Sequence, residues 1–149
     1  MTICFYGPDD KHGYLANFSR HPIAMGGIVW STVEHFFHAQ KFILCKEVFE
    51  AILIADSPAK AKQIGKKFRE RRRSDWRAIR QGVMKMAIEA KFLQHPDLAM
   101  NLLATDKRMI VEQANDDWYW GCGYNGRGLN VMGRIIMQVR NQLQNKSLF

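Results

Sequence analysis

The chain has 149 residues, of which 47% are hydrophobic and 24% charged, a composition typical of a soluble globular protein with a proper core. No apolar run reaches transmembrane length, and the first residues lack the basic and apolar regions of a signal peptide. Three widely spaced cysteines indicate a reducing compartment and no disulfide framework. We therefore expect one domain over residues 1–149, a cytoplasmic location (nuclear is an option in a eukaryote) and no membrane partner.

The net charge of +8 is concentrated in one segment. From Lys60 to Arg80 there are ten Lys/Arg and only two Asp/Glu, whereas the rest of the chain is neutral. A basic segment of this kind suits a polyanion, so a nucleic acid or a phosphorylated substrate is the expected partner.

The predicted elements are helices through most of the chain, with short strands towards its two ends. The strands cover residues 3–6, 28–30 and 108–113. The helices cover residues 33–45, 46–55, 58–68, 75–94, 96–104 and 131–143. A loop rich in glycine and aromatic residues covers residues 115–130, and the chain from Lys146 onward is expected to fray. The predicted fold class is α+β, a mostly helical single domain with a few short strands near the chain ends.

The first predicted helix carries an acid and an amine on one line. Glu34 and Lys41 are seven residues apart, which places them about 20° apart around the axis and roughly 10 Å apart along it. Phe37 lies between them, and a small polar substrate could fit there. Glu34 also has a purely structural reading, because Ser31 as N-cap and Glu34 at N3 have the spacing of a capping box.

A lysine that acts as a nucleophile must first lose its proton. Apolar neighbours lower the pKa of a lysine, and Phe37, Phe42 and Leu44 are the residues expected to supply them around Lys41. The pair then suits proton transfer by Glu34 and nucleophilic attack by Lys41.

The glycine-rich loop is the second candidate for a site. Trp118, Tyr119 and Trp120 stand among glycines, which let a backbone approach a ligand closely while an aromatic face stacks on a base. Asp117 could bind sugar hydroxyls or move a proton, and it could equally be an Asx-turn residue. Cys122 as a nucleophile lacks a visible partner.

The remaining candidates concern phosphate and metal. The run Arg71–Arg73 is either a solvated helix end or a phosphate contact. His35 and His38 are three residues apart and could share a metal, but no third ligand has recognisable spacing. We therefore expect no metal and no cofactor.

Several motifs together resemble the NADAR family, an N-glycosidase domain linked to NAD and ADP-ribose metabolism. They are Asn17-Phe18-Ser19, the stretch from Thr32 to Phe42, Asp117-Trp118-Tyr119-Trp120-Gly121, and Gly128-x-Asn130-x-x-Gly133. The resemblance runs from about Phe5 to Arg140. It implies hydrolysis of a bond between ribose and a base-like amine. The substrates associated with the family are ribosylaminopyrimidine phosphates early in riboflavin synthesis, and ADP-ribose on guanine bases of DNA.

We predict the following roles, of which those of Glu34, Lys41, Asp117, Trp120, Asn17 and Phe18 are what the resemblance implies. The predicted catalytic residues are Glu34, Lys41 and Asp117. The predicted substrate-binding residues are Asn17, Phe18, Trp30, His35, Trp118, Trp120, Gly121 and Asn130. The predicted phosphate-binding residues are Arg72, Arg73 and Arg77. Two departures from the family pattern, Arg20 after Ser19 and His38 where small or polar residues are common, could alter substrate choice.

The expected mechanism has Glu34 protonating the ribose ring oxygen or the leaving nitrogen while neutral Lys41 attacks C1′ to form a Schiff base. A simpler variant has Glu34 or Asp117 activating water directly. The basic segment favours ADP-ribosyl-guanine in DNA as substrate, with the phosphorylated ribosylamine as alternative. A non-catalytic nucleic-acid-binding module, which uses the basic segment and the loop aromatics, is the alternative of another class.

Overall fold

The structure, a computed structural model, describes residues 1–146, so residues 147–149 of the end that is expected to fray lie outside it. In this range there are six α-helices, four short strands and two short 3₁₀ turns at Gly13–Leu15 and Arg69–Arg71. The strands are β1 Ile3–Phe5, β2 Ile23–Met25, β3 Ile28–Trp30 and β4 Ile110–Glu112. The helices are α1 Val33–Gln40, α2 Lys46–Leu53, α3 Pro58–Lys67, α4 Trp76–Gln94, α5 Pro96–Leu103 and α6 Val131–Lys146. The predicted fold class is confirmed.

The chain divides into two compact units, and the first combines residues 1–19 with residues 92–146. Its strands β1 and β4 pair in parallel, with Ile3 opposite Ile110 and Phe5 opposite Glu112. Strand β1 stops after Phe5, since the carboxylate of Asp10 accepts hydrogen bonds from the next two backbone N–H groups. Helix α6 packs on β4 and on α5.

The second unit covers Arg20–Lys91. It begins with an antiparallel hairpin of β2 and β3, turned by Gly26 and Gly27, which both have positive φ (61° and 81°). Such a two-residue turn requires left-handed backbone, which glycine adopts without steric cost. Helices α1, α2 and α3 then pack on one another, and α1 also contacts β3.

Two predictions around α1 are wrong. The N-cap is Thr32 and not Ser31, because the Thr32 side chain accepts a hydrogen bond from the backbone N–H of His35 (3.2 Å). Glu34 is therefore not at the N3 position of a capping box. The helix also ends at Gln40, and turns over residues 41–44 separate it from α2 where a helix to Cys45 was predicted.

Candidate active site

The start of α1 is held rigidly by Thr32 and His35. The Nδ1 atom of His35 lies 2.8 Å from the Thr32 hydroxyl, and its Nε2 atom lies 3.0 Å from the carbonyl oxygen of Ala55. His35 is almost fully buried and ties the helix start to the chain just after α2. Both ring nitrogens thus have structural partners, and a contact of His35 with substrate stays a prediction.

A continuous chain of three side chains runs along α1. The Oε1 atom of Glu34 lies 2.7 Å from Nε2 of His38, and Nδ1 of His38 lies 3.0 Å from Nζ of Lys41. Glu34 and His38 are 7% and 8% exposed, so the chain is largely shielded from water. The space expected for a substrate between Glu34 and Lys41 is therefore occupied by the imidazole of His38.

Lys41 lies against aromatic rings at the end of α1. Its Nζ atom is 5.5 Å from the ring centre of Phe37 and 5.7 Å from that of Trp76, and the two rings meet edge to face. Trp76 was not among the expected neighbours, whereas Leu44, which was, is 88% exposed. The apolar surroundings of Lys41 thus come from Phe37 and from the first residue of α4.

Burial lowers the pKa of Lys41 to about 8. Glu34 acts in the opposite direction, since a carboxylate favours the charged amine, and the positive charges of Arg72, Arg69 and Lys62 lower the pKa further. At pH 7.5 a pKa of about 8 leaves roughly a quarter of such an amine neutral, against about one part in a thousand for an ordinary lysine. Lys41 therefore has the electrostatic surroundings of a nucleophilic amine.

The basic segment meets the end of α1 through its backbone. The N–H of Arg73 donates to the carbonyl oxygen of Lys41 (2.8 Å), and its guanidinium makes a two-point contact with the carboxylate of Asp75. Arg77 is exposed in the first turn of α4. Of the three arginines predicted to bind phosphate, Arg72 is the one whose charge bears on Lys41.

Trp30 lies on another side of α1. It is fully buried against the rings of Phe36 and Phe49, and it lines a cavity of about 630 Å³ together with Gln40 and Ile43. Phe36 and Gln40 lie on the face of α1 opposite Glu34 and His38, and Ile43 follows in the turns after the helix. Glu34, His38 and Lys41 do not line this cavity.

In the first unit, Asp117 organises the aromatic loop. Its Oδ1 atom accepts hydrogen bonds from the backbone N–H groups of Tyr119 (3.0 Å) and Trp120 (2.8 Å), the geometry of an Asx-turn. Trp118 packs on Tyr124 and over Gly123, where a Cβ would come within 2.9 Å of the indole. Gly123 also has a positive φ of 69°, so both the close indole and the left-handed backbone favour glycine at this position.

The other predicted binding residues of the first unit have close protein neighbours. The Asn130 amide donates to the carbonyl of Ile110 (2.9 Å) and accepts from the N–H of Glu112 (3.0 Å), which fastens the loop end to β4. A Cβ on Gly121 would lie 2.7 Å from the Cβ of Ala114. Asn17 makes a long contact with the sulfur of Met132 (3.8 Å) and, like Phe18, is half-buried. Their roles towards a substrate stay predictions.

Sequence reasoning missed His38 and Gly65 as parts of the site. A Cβ on Gly65 would lie 2.8 Å from Nδ1 of His38, so α3 can approach the imidazole only with glycine at this position. The signal for His38 was present, because it is four residues after Glu34 and three before Lys41, the two spacings that bring helical side chains into contact.

Residues 1–146 contain no group of three His, Cys, Asp or Glu side chains that could share a metal ion. No helix in the same range combines the length and the apolar character needed to cross a membrane.

Comparison with known proteins identifies the family. The NADAR domain matches residues 4–144. The N-glycosidase YbiA of Escherichia coli is 40% identical over 141 residues, covering 95% of this chain and 88% of that protein. The riboflavin biosynthesis protein VVA0006 of Vibrio vulnificus is 41% identical over 144 residues, which are 97% of this chain but only 39% of that protein. The NMR structure of E. coli YbiA superimposes with a TM-score of 0.89 and 38% sequence identity, and the match covers 99% of this chain and 89% of the YbiA chain. This chain therefore belongs to the NADAR family.

Proposed function

We propose that this protein is an N-glycosidase, a hydrolase that cleaves the bond between ribose and nitrogen in a phosphorylated ribosylaminopyrimidine. The observation that carries the proposal is Lys41, a shielded amine with a pKa lowered to about 8 and linked through His38 to the carboxyl of Glu34. Relatives that cover nearly all of this chain are named N-glycosidases. That name favours an enzyme over a non-catalytic nucleic-acid-binding module.

The reaction begins with the neutral amine of Lys41. It attacks C1′ of the ribose while Glu34 exchanges the proton that the ring oxygen or the leaving nitrogen needs. The C1′–N bond breaks and the nitrogen base leaves, and the ribose ring opens as the bond between C1′ and the ring oxygen breaks. The two protons of the Lys41 amine pass, with Glu34 as carrier, to the leaving nitrogen and the ring oxygen. This leaves a Schiff base between C1′ and Lys41, which water hydrolyses to release the sugar. Asp117 holds ribose hydroxyls or assists proton transfer, and Trp120 stacks on the planar part of the substrate.

The charges around Lys41 support a phosphorylated substrate. Lys62, Arg69 and Arg72 all act on the lysine electrostatically, so a phosphate group next to it would meet several cations. The names of two relatives, the riboflavin biosynthesis protein VVA0006 of V. vulnificus and the chloroplastic riboflavin biosynthesis protein PYRR of Zea mays, favour the ribosylaminopyrimidine as this substrate.

ADP-ribosylated guanine in DNA is the second candidate. The observation in its favour is the exposure of most of the basic residues between Lys60 and Arg80, which makes a surface suited to a polyanion. Cleavage of this second substrate would use the same Lys41 chemistry, and the two substrates differ in the groups attached to the ribose.

Turnover assays with both substrates test the proposal. The purified protein is incubated with a ribosylaminopyrimidine phosphate and, separately, with an oligonucleotide carrying ADP-ribosyl-guanine, and the released ribose phosphate or ADP-ribose is measured. We expect release from the first substrate, and a loss of about a hundredfold or more with Lys41→Ala or Glu34→Gln. Lys85→Ala, which alters a surface lysine paired with Glu89, is the matched control and should match the wild type.

Each outcome of this assay is decisive. Release only from the oligonucleotide would replace the first substrate by the second. Release from neither substrate, or unchanged turnover in Lys41→Ala, would refute the proposed function.

A further inference from the structure

His38 bridges Glu34 and Lys41, a position to which the proposed reaction assigns no role. Its two ring nitrogens are each within hydrogen-bond distance of one of them, 2.7 Å from the carboxylate and 3.0 Å from the amine. The ring is 8% exposed, meets Phe37 edge to face, and has the α3 backbone at Gly65 against its Nδ1 side. The imidazole is thus held in one orientation by its surroundings.

We propose that neutral His38 is a positioning residue that holds the Lys41 amine in line with Glu34, and that protonation of His38 releases the amine and turns the site off. This inference rests on the proposed function for its consequence in turnover, but the contact itself can be tested without any substrate.

The argument depends on what each form of the imidazole can donate and accept. A neutral imidazole has one N–H and one acceptor nitrogen. With Glu34 ionised, Nε2–H donates to the carboxylate and Nδ1 accepts from the Lys41 amine. In this tautomer the imidazole holds the amine through one of its N–H groups and leaves the lone pair of a neutral Lys41 free to attack C1′.

The imidazolium suits neither state at Lys41. Both of its nitrogens carry hydrogen, so Nδ1 can no longer accept from an ammonium group, and two cations would lie 3.0 Å apart. If Lys41 is neutral instead, the Nδ1–H occupies the lone pair that must attack C1′. Imidazole is the side chain whose charge ordinarily changes between pH 5 and 8.

Apart from Glu34, the charged groups that act on Lys41 are cations. Lys62 on α3, Arg69 in the 3₁₀ turn and Arg72 after it act on Lys41, and Glu34 is the acid that opposes them. Glu34 thus places an acid against one ring nitrogen of His38, and Lys41 places an amine against the other. The two neighbours in the chain thus have opposite and separately testable effects.

The substrate-independent test follows the ring of His38 by NMR titration of ¹⁵N-labelled protein. We expect Glu34→Gln to lower the pH midpoint of the His38 titration and Lys41→Met to raise it, each by about half a unit or more. Lys85→Met should leave the midpoint in place. If the pH midpoint moves by less than 0.2 pH units in both Glu34→Gln and Lys41→Met, the inference is overturned, whatever substrate the enzyme has.

The functional test compares wild-type protein with His38→Gln between pH 5 and 9. Glutamine offers one donor and one acceptor group but does not titrate. We expect a lower plateau rate than in the wild type and a shallower fall of turnover towards acid pH, because Lys41 still titrates in the variant whereas residue 38 no longer does. A variant whose turnover falls with acid as in the wild type, or is reduced equally at every pH, would overturn the inference. If no substrate turns over, the proposed function fails and the NMR test still decides the role of His38.

Discussion

Asp117 shows at the scale of one residue how a turn and a reaction can depend on the same carboxylate. One oxygen accepts two backbone N–H groups of the aromatic loop, which fixes the direction in which Trp120 leaves the turn. The interpretation of Asp117 as an Asx-turn residue is therefore established by the structure, and its predicted role in the reaction has to be tested separately from it.

Two substitutions separate these roles. Asp117→Ala removes the acceptor for two N–H groups and should lower the free energy of unfolding by about 1–3 kcal/mol. Asp117→Asn keeps an oxygen acceptor, so we expect a melting temperature close to wild type but a turnover reduced tenfold or more if the negative charge serves the reaction. Thermal unfolding and turnover of both variants check this. An asparagine variant with full activity would show that Asp117 has only the turn role.

Glu34 illustrates what sequence reasoning could and could not reach at this scale. The sequence predicted that Glu34 and Lys41 share one side of the helix, because a spacing of seven residues is close to two helical turns. The capping box failed because Ser31 and Thr32 are both good caps, and the backbone conformation that selects Thr32 is not visible in the residue types. The contact through His38 was readable from spacing, but its distances were not.

At the scale of elements, the site depends on the approach of α3 to α1. These two helices pack closely, and Gly65 is the position where α3 meets the His38 imidazole. A glycine within a helix costs stability relative to alanine. Its presence at this position therefore has a packing reason that involves the site.

Gly65→Ala and Gly82→Ala form a matched pair. The new methyl group at residue 65 would lie 2.8 Å from Nδ1 of His38 and must displace the ring, so we expect turnover to fall tenfold or more. The methyl group at residue 82, in α4, meets nothing within 4 Å, so this variant should gain about 0.5–1 kcal/mol in stability at unchanged turnover. Turnover and thermal melting of both proteins are the measurements. Equal turnover in the Gly65 variant and the wild type would show that the helix contact does not position His38.

The elements themselves were predictable where local signals are strong. Ser57 and Pro58 mark the start of α3, and Pro96 marks that of α5, because caps and N1 prolines act within one turn. Strand β2 was missed, since residues 23–25 are strand only through pairing with β3 across Gly26 and Gly27. The break after Gln40 was missed because the apolar pattern continues across it.

At the scale of the whole molecule, charge and family give complementary information. The basic residues between Lys60 and Arg80 account for the net charge, and three of the cations in this segment act on Lys41. The family follows from a match over residues 4–144 and relatives near 40% identity. One domain over residues 1–149 stays a prediction, and so does the ADP-ribosyl substrate. The family motifs made the class of reaction predictable, whereas the substrate depends on distances that residue types do not encode.

Borohydride trapping tests the central claim most directly. The protein is mixed with its phosphorylated ribosylamine substrate and sodium borohydride, and its peptides are examined by mass spectrometry. The Schiff base should be reduced to a stable amine, so the account predicts substrate-dependent attachment of the reduced sugar phosphate at Lys41, and none at this position in Lys41→Arg. Substrate turnover with no adduct on Lys41 would contradict the account and would favour direct attack by water activated by Glu34 or Asp117.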